Sequence, residues 1–76
     1  MKDVLEFIAR NLVDNPDAVE VSESAGDRGV VLSLRVDPED MGKVIGRGGR
    51  TARAIRSVVK ASAIRSNTHV HVEIVD

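Results

Sequence analysis

A chain of 76 residues can bury about 60% of its unfolded surface, which gives one domain with a thin core. Having no cysteine, it can form neither a disulfide framework nor a thiolate metal site. The net charge of −1 conceals an asymmetry: seven of the 11 Lys and Arg, and none of the 12 Asp and Glu, lie between residues 41 and 65. That segment therefore carries +7, and the remainder, with four cations and twelve acids, −8. A solvated helix face ordinarily mixes both signs, so a block of one sign points to an anionic partner. The apolar runs are only a few residues long. With no signal peptide or membrane span in view, a soluble cytoplasmic protein is expected.

Residues 3–14 place Val4, Leu5, Ile8, Leu12 and Val13 near one helical face, which predicts a first helix capped by Asp3 and ended by Asn15-Pro16. Phe7, the only aromatic residue, is assigned to the core. Residues 18–24 alternate, with Val19 and Val21 inward and Glu20 and Ser22 outward. Residues 30–36 form the second strand, with Val30, Leu32, Leu34 and Val36 on one face and Val31, Ser33 and Arg35 on the other. The turn-rich stretch 25–29 joins the two as a hairpin with a loop of about five residues.

Asp37-Pro38-Glu39-Asp40 opens a short second helix, with Asp37 as cap, proline in its first position and Met41, Val44 and Ile45 toward the core. Gly46 stops it. A third helix is predicted from about Gly49 to Ile64, with Ile55, Val58, Val59, Ser62 and Ala63 inward and Arg50, Arg53, Arg56 and Lys60 outside. Residues 68–75 close the chain as a strand with Val70, Val72 and Ile74 inward. The helix pair between the second and third strands lets those strands lie parallel through a right-handed crossover.

The chemistry gathers at Gly46-Arg47-Gly48-Gly49, preceded by Val44 and Ile45 and followed by the arginine-bearing helix. Glycines allow another backbone to come close. Lys43, Arg47, Arg50 and Arg53 supply positive charge there, and a helix beginning at about Gly49 adds free N–H groups and the positive end of its dipole. These features describe a phosphate-backbone site. Other phosphate loops fail on spacing. A Walker A loop needs glycine where Val44 stands and lysine where Arg50 stands. A dinucleotide-binding turn needs a preceding strand and a third glycine where Thr51 stands.

The G-x-x-G loop resembles that of the KH domain, in which it clamps a four-nucleotide backbone. The longer string P-E-D-M-G-K-V-I-G-R-G-G-R, residues 38–50, resembles the small bacterial single-KH proteins of the KhpA type, and the likeness extends over nearly the whole chain. Gly48 departs from it, standing where that family often has a longer polar residue. The resemblance implies one type II KH domain over residues 1–76: an α+β fold of order α-β-β-α-α-β, with a three-stranded mixed sheet and three helices on one face. It implies single-stranded RNA as ligand. It also implies dimerisation, with a second copy or with a larger Jag-type KH protein.

On this reading RNA lies against Lys43, Val44, Ile45, Gly46, Arg47, Gly48, Gly49, Arg50 and Arg53, with Val44 and Ile45 lining an aliphatic groove for the bases. With one aromatic residue in the chain, base stacking contributes little, so broad specificity is expected. His69, His71 and Glu73 share a face of the last strand, but no fourth metal ligand is apparent and they read as polar residues of an open sheet face. No catalytic constellation and no cofactor site is apparent. The alternative reading is an assembly module that uses the same fold mainly to dimerise.

Overall fold

The computed structural model describes residues 1–75. The helices are α1 (Lys2–Leu12), α2 (Met41–Ile45) and α3 (Arg50–Arg65), and the strands are β1 (Glu20–Gly26), β2 (Gly29–Arg35) and β3 (Val70–Val75). The sheet order is β1-β2-β3, with β1 antiparallel and β3 parallel to the central β2. The order α-β-β-α-α-β and the mixed sheet are as the sequence pattern predicts.

Side-chain alternation divides the sheet into two faces. Val21, Leu34 and Ile74 lie side by side across the three strands, as do Glu23, Leu32 and Val72, and this face meets the helices. The opposite rows, Glu20–Arg35–Val75 and Ser22–Ser33–Glu73, form the outer face. Leu5 and Ala9 of α1, Val44 of α2, and Ile55, Val59 and Ala63 of α3 complete the core. The third helix ends through Asn67, whose positive φ of 54° turns the chain toward β3.

Several expectations are corrected by packing. Phe7 is 69% exposed, so the only aromatic residue is not in the core. The inward line of α1 is Leu5, Ala9 and Val13, spaced four apart, and Leu12 lies outside it. On α3, Ala52 takes an inward place and Val58 is half exposed. Ile45, expected to face the core, is also exposed. In both long helices a small alanine takes a buried place and a bulkier neighbour lies outside it. The first helix begins at Lys2 with Met1 at its cap, so Asp3 sits inside the first turn, where its charge suits the helix dipole.

The hairpin is tighter than expected. Gly26 pairs with Gly29, so the connection is the two residues Asp27 and Arg28. Gly29 carries the unusual conformation, at φ 140°, and a Cβ there would collide with the backbone carbonyl of His69. The Val30 N–H donates to that same carbonyl at 2.9 Å, which sets the first rung between β2 and β3. The glycine at this end of the hairpin therefore serves strand approach.

The segment before α2 is a polar junction. Asp37 accepts the Glu39 N–H at 3.0 Å and so caps a 3₁₀ turn at Pro38–Asp40 that leads into α2. That bond, with one from the Asn15 side chain, lowers the Asp37 pKa. Asp40 is buried, and its two oxygens accept the backbone N–H groups of Asp14 and Asn15 at 3.3 and 3.1 Å. It fastens the end of α1 to the start of α2. Replacing Asp40 by alanine leaves two amides without acceptors and should destabilise the domain by about 1–3 kcal/mol. Urea denaturation checks this; an unchanged midpoint would remove Asp40 from this role.

Candidate nucleic-acid interface

The corner between α2 and α3 is built on positive-φ glycines. The Gly46 N–H closes α2 on the Gly42 carbonyl at 2.9 Å, and Gly46 then adopts φ 75°, ψ 172°. A Cβ at Gly46 would strike Thr51, both its side chain and its backbone nitrogen, so only glycine lets the two helices meet here. Gly48 (φ 63°) and Gly49 (φ 77°) are left-handed too, but a Cβ on either would meet open space. Their constraint is conformational alone, which makes position 48 compatible with a longer side chain at the cost of left-handed strain. Gly49 is the residue before α3, and its N–H donates to the Gly46 carbonyl at 3.2 Å.

Basic residues around this corner fall into two groups. Arg47 and Arg50 are exposed, and among the described residues neither has an ion-pair partner. Others are engaged within the protein. Arg53 donates from its guanidinium to the Gly48 carbonyl at 3.2 Å and so braces the loop. Arg56 donates to the Val72 carbonyl of β3 at 3.2 Å. Lys43 meets Asp14 at 2.9 Å and Asp40 at 3.7 Å. Its pKa is raised, first by the hydrogen bond to Asp14 and then by the charge of that carboxylate. The stretch from 41 to 65 has no acid of its own, yet the fold brings two to its first cation.

Of the residues expected to contact RNA, the structure groups Gly46, Arg47, Gly48, Gly49, Arg50 and Arg53 at one corner, with Lys43 one helical turn before it and Ile45 exposed nearby. Val44 is a correction. It is 0% exposed and belongs to the core, so it cannot line a groove for bases. Asp14 and Asp40 are the residues that sequence reading missed as neighbours of the site. The Asp40–Lys43 spacing of three was a readable signal; nothing local marks Asp14. On the outer sheet face, His71 stands 3.7 Å from Glu73. Among the described residues no three such side chains converge as metal ligands would.

The third helix carries two unlike flanks. Arg53, Arg56 and Lys60 run along the side near β3. Thr51, Ala54, Ile55 and Val58 face α1 and, with Ile8 and Leu12, line an apolar groove of about 320 Å3. No helix among the described residues is long and apolar enough to cross a membrane.

Two helices joined at a G-x-x-G corner and backed by a three-stranded mixed sheet define a KH domain. The family model described as "KhpA/KhpB, KH domain" matches residues 2–74, and the chain belongs to that family. It is 57% identical over 75 residues to the RNA-binding protein KhpA of Clostridium acetobutylicum, covering 99% of this chain and 100% of the relative. It is 50% identical over 76 residues to RNA-binding protein KhpA of Streptomyces coelicolor, covering 100% and 92%. With its counterpart in Aquifex aeolicus it shares 46% over 76 residues, covering 100% and 96%. No solved structure matches the chain.

The two kinds of glycine predict different costs. Gly48→Ala should lose about 1 kcal/mol, the strain of a left-handed alanine. Gly46→Ala adds a collision with the Thr51 backbone and should lose markedly more. Thermal unfolding of the two variants tests the order; equal midpoints would show that the corner relaxes without cost.

Proposed function

We propose that this protein binds single-stranded RNA by its backbone at the 46–49 loop, as a non-catalytic cytoplasmic protein with broad sequence tolerance. The observation that carries the reading is the corner itself: an exposed glycine loop at the start of α3, flanked by Arg47 and Arg50 without acidic partners among the described residues. The relatives named as RNA-binding proteins support it along the full length of the chain. The loop and first turn of α3 offer backbone N–H groups to phosphate oxygens, Arg47 and Arg50 add Coulomb attraction, and Arg53 holds the Gly48 carbonyl in place. Ile45 gives an apolar surface beside the loop.

A second function, dimerisation, is favoured by the apolar groove between α1 and α3. Leu12 and Val58 are exposed in it, and the cations Arg53, Arg56 and Lys60 lie on the other flank of α3. Two copies can therefore meet along this groove without opposing their arginine rows. A larger Jag-type KH protein is the alternative occupant. Linking two weak RNA sites raises avidity without any new contact.

Replacing Arg47 and Gly48 together by Asp sets two carboxylates against the phosphates. A gel shift should show binding abolished while circular dichroism stays native; unchanged affinity would remove the loop from the site. If three to four phosphates are neutralised, log affinity should fall against log salt with a slope of about −2 to −3. A flat response would instead favour the assembly reading. For the dimer, Val58→Asp places a charge in the groove, and sedimentation should show a wild-type dimer and a variant monomer. A monomer in both would sink the homodimer.

A further inference from the structure

Lys43 has two acidic partners of unlike standing. Asp40 is buried, 3% exposed, and its oxygens already accept the Asp14 and Asn15 amides, so it is fixed. The Asp14 side chain is 82% exposed, and among the described residues its one polar partner is Lys43 Nζ, at 2.9 Å. Lys43 itself is 44% exposed and stands one turn before Gly46, where α2 runs into the loop. One partner of the lysine is anchored, and the other is free to leave.

We propose that Asp14 is an internal competitor for RNA phosphate: its carboxylate holds the Lys43 ammonium in the free protein and gives it up when RNA binds. The inference rests on the reading of the 46–49 loop as the phosphate site and adds to it a residue, distant in sequence, that sets affinity. An exposed ion pair is weak enough to be exchanged, and its loss should change affinity by only about two- to five-fold. The exchange also has an ionic signature. Salt screens the exposed Lys43–Asp14 pair, so the competitor is strongest at low salt and weakens as salt rises. Without the Asp14 charge the gain in affinity should be largest at low salt, and the salt slope should steepen.

The test uses the full chain and a fluorescent, unstructured short RNA, titrated from about 50 to about 200 mM salt. Asp14→Asn should bind about two- to five-fold tighter with the steeper slope, and Asp14→Glu should bind as wild type. Asp17→Asn, which removes an exposed acid that holds no ion pair among the described residues, should change neither quantity. In a Lys43→Gln background, Asp14→Asn should give no gain. A gain that survives there, or that Asp17→Asn shares, would show general repulsion and overturn the proposal; so would no gain at all. The Arg47→Asp/Gly48→Asp variant separates the two levels. If it abolishes binding while Asp14→Asn is neutral, only the competitor fails. If it binds as wild type, the phosphate-loop reading fails and the competitor with it.

Discussion

The contact of Gly46 with Thr51 governs the corner between α2 and α3. A Cβ in that place would stand against the backbone of the first turn of α3, so the absence of one side chain decides how closely two helices meet. Because they meet there, the connection between them shrinks to the four residues Gly46, Arg47, Gly48 and Gly49. The short connection delivers Arg47 and Arg50 to the positive end of α3. Arg53 then ties back to the Gly48 carbonyl from one turn inside the helix. Charge, dipole and open backbone coincide because one glycine permits the corner.

That corner would have no fixed place without the polar junction behind it. A domain of this size has a thin core, here assembled from aliphatic side chains alone, and it holds α2, only five residues long, by little more than Val44 and Met41. The buried Asp40 carboxylate supplies direction by binding two amides at the end of α1. Such a group is costly to bury unless its acceptors are used, and here they are. Rigidity at the site thus comes from hydrogen-bond geometry as much as from apolar burial. The same junction brings Asp14 to Lys43, so the element that orders the loop also tempers its charge.

Element order and strand faces were legible because their signals are local: alternation in 30–36 and 70–74, proline and glycine as punctuation, and an acid-free run on α3. The loop glycines were legible for the same reason. Helix orientation was less so. Ranking residues by apolar size put Phe7 and Val58 inside, whereas the buried places went to Ala9 and Ala52 and the larger side chains turned out. Gly26 and Gly29 read as loop because glycine favours turns, yet they are the last paired residues of the hairpin, and Gly29 is held by β3. Val44 read as groove lining because sequence shows adjacency to a site but not the direction of a side chain. The Lys43–Asp14 pair spans 29 positions and leaves no local trace.

The outward displacement of apolar residues on α1 and α3 has a constructive side. It leaves one flank of α3 apolar and the other cationic, so one helix can serve protein contact and nucleic-acid contact without conflict. The placement of RNA on the loop is most directly tested by amide chemical-shift mapping with a short single-stranded RNA. The amides of residues 46–52 should move most, with those of Ser22, Ser33 and Glu73 on the outer sheet face unmoved. Shifts concentrated on that sheet face or along the α1–α3 groove, with the loop amides silent, would contradict it.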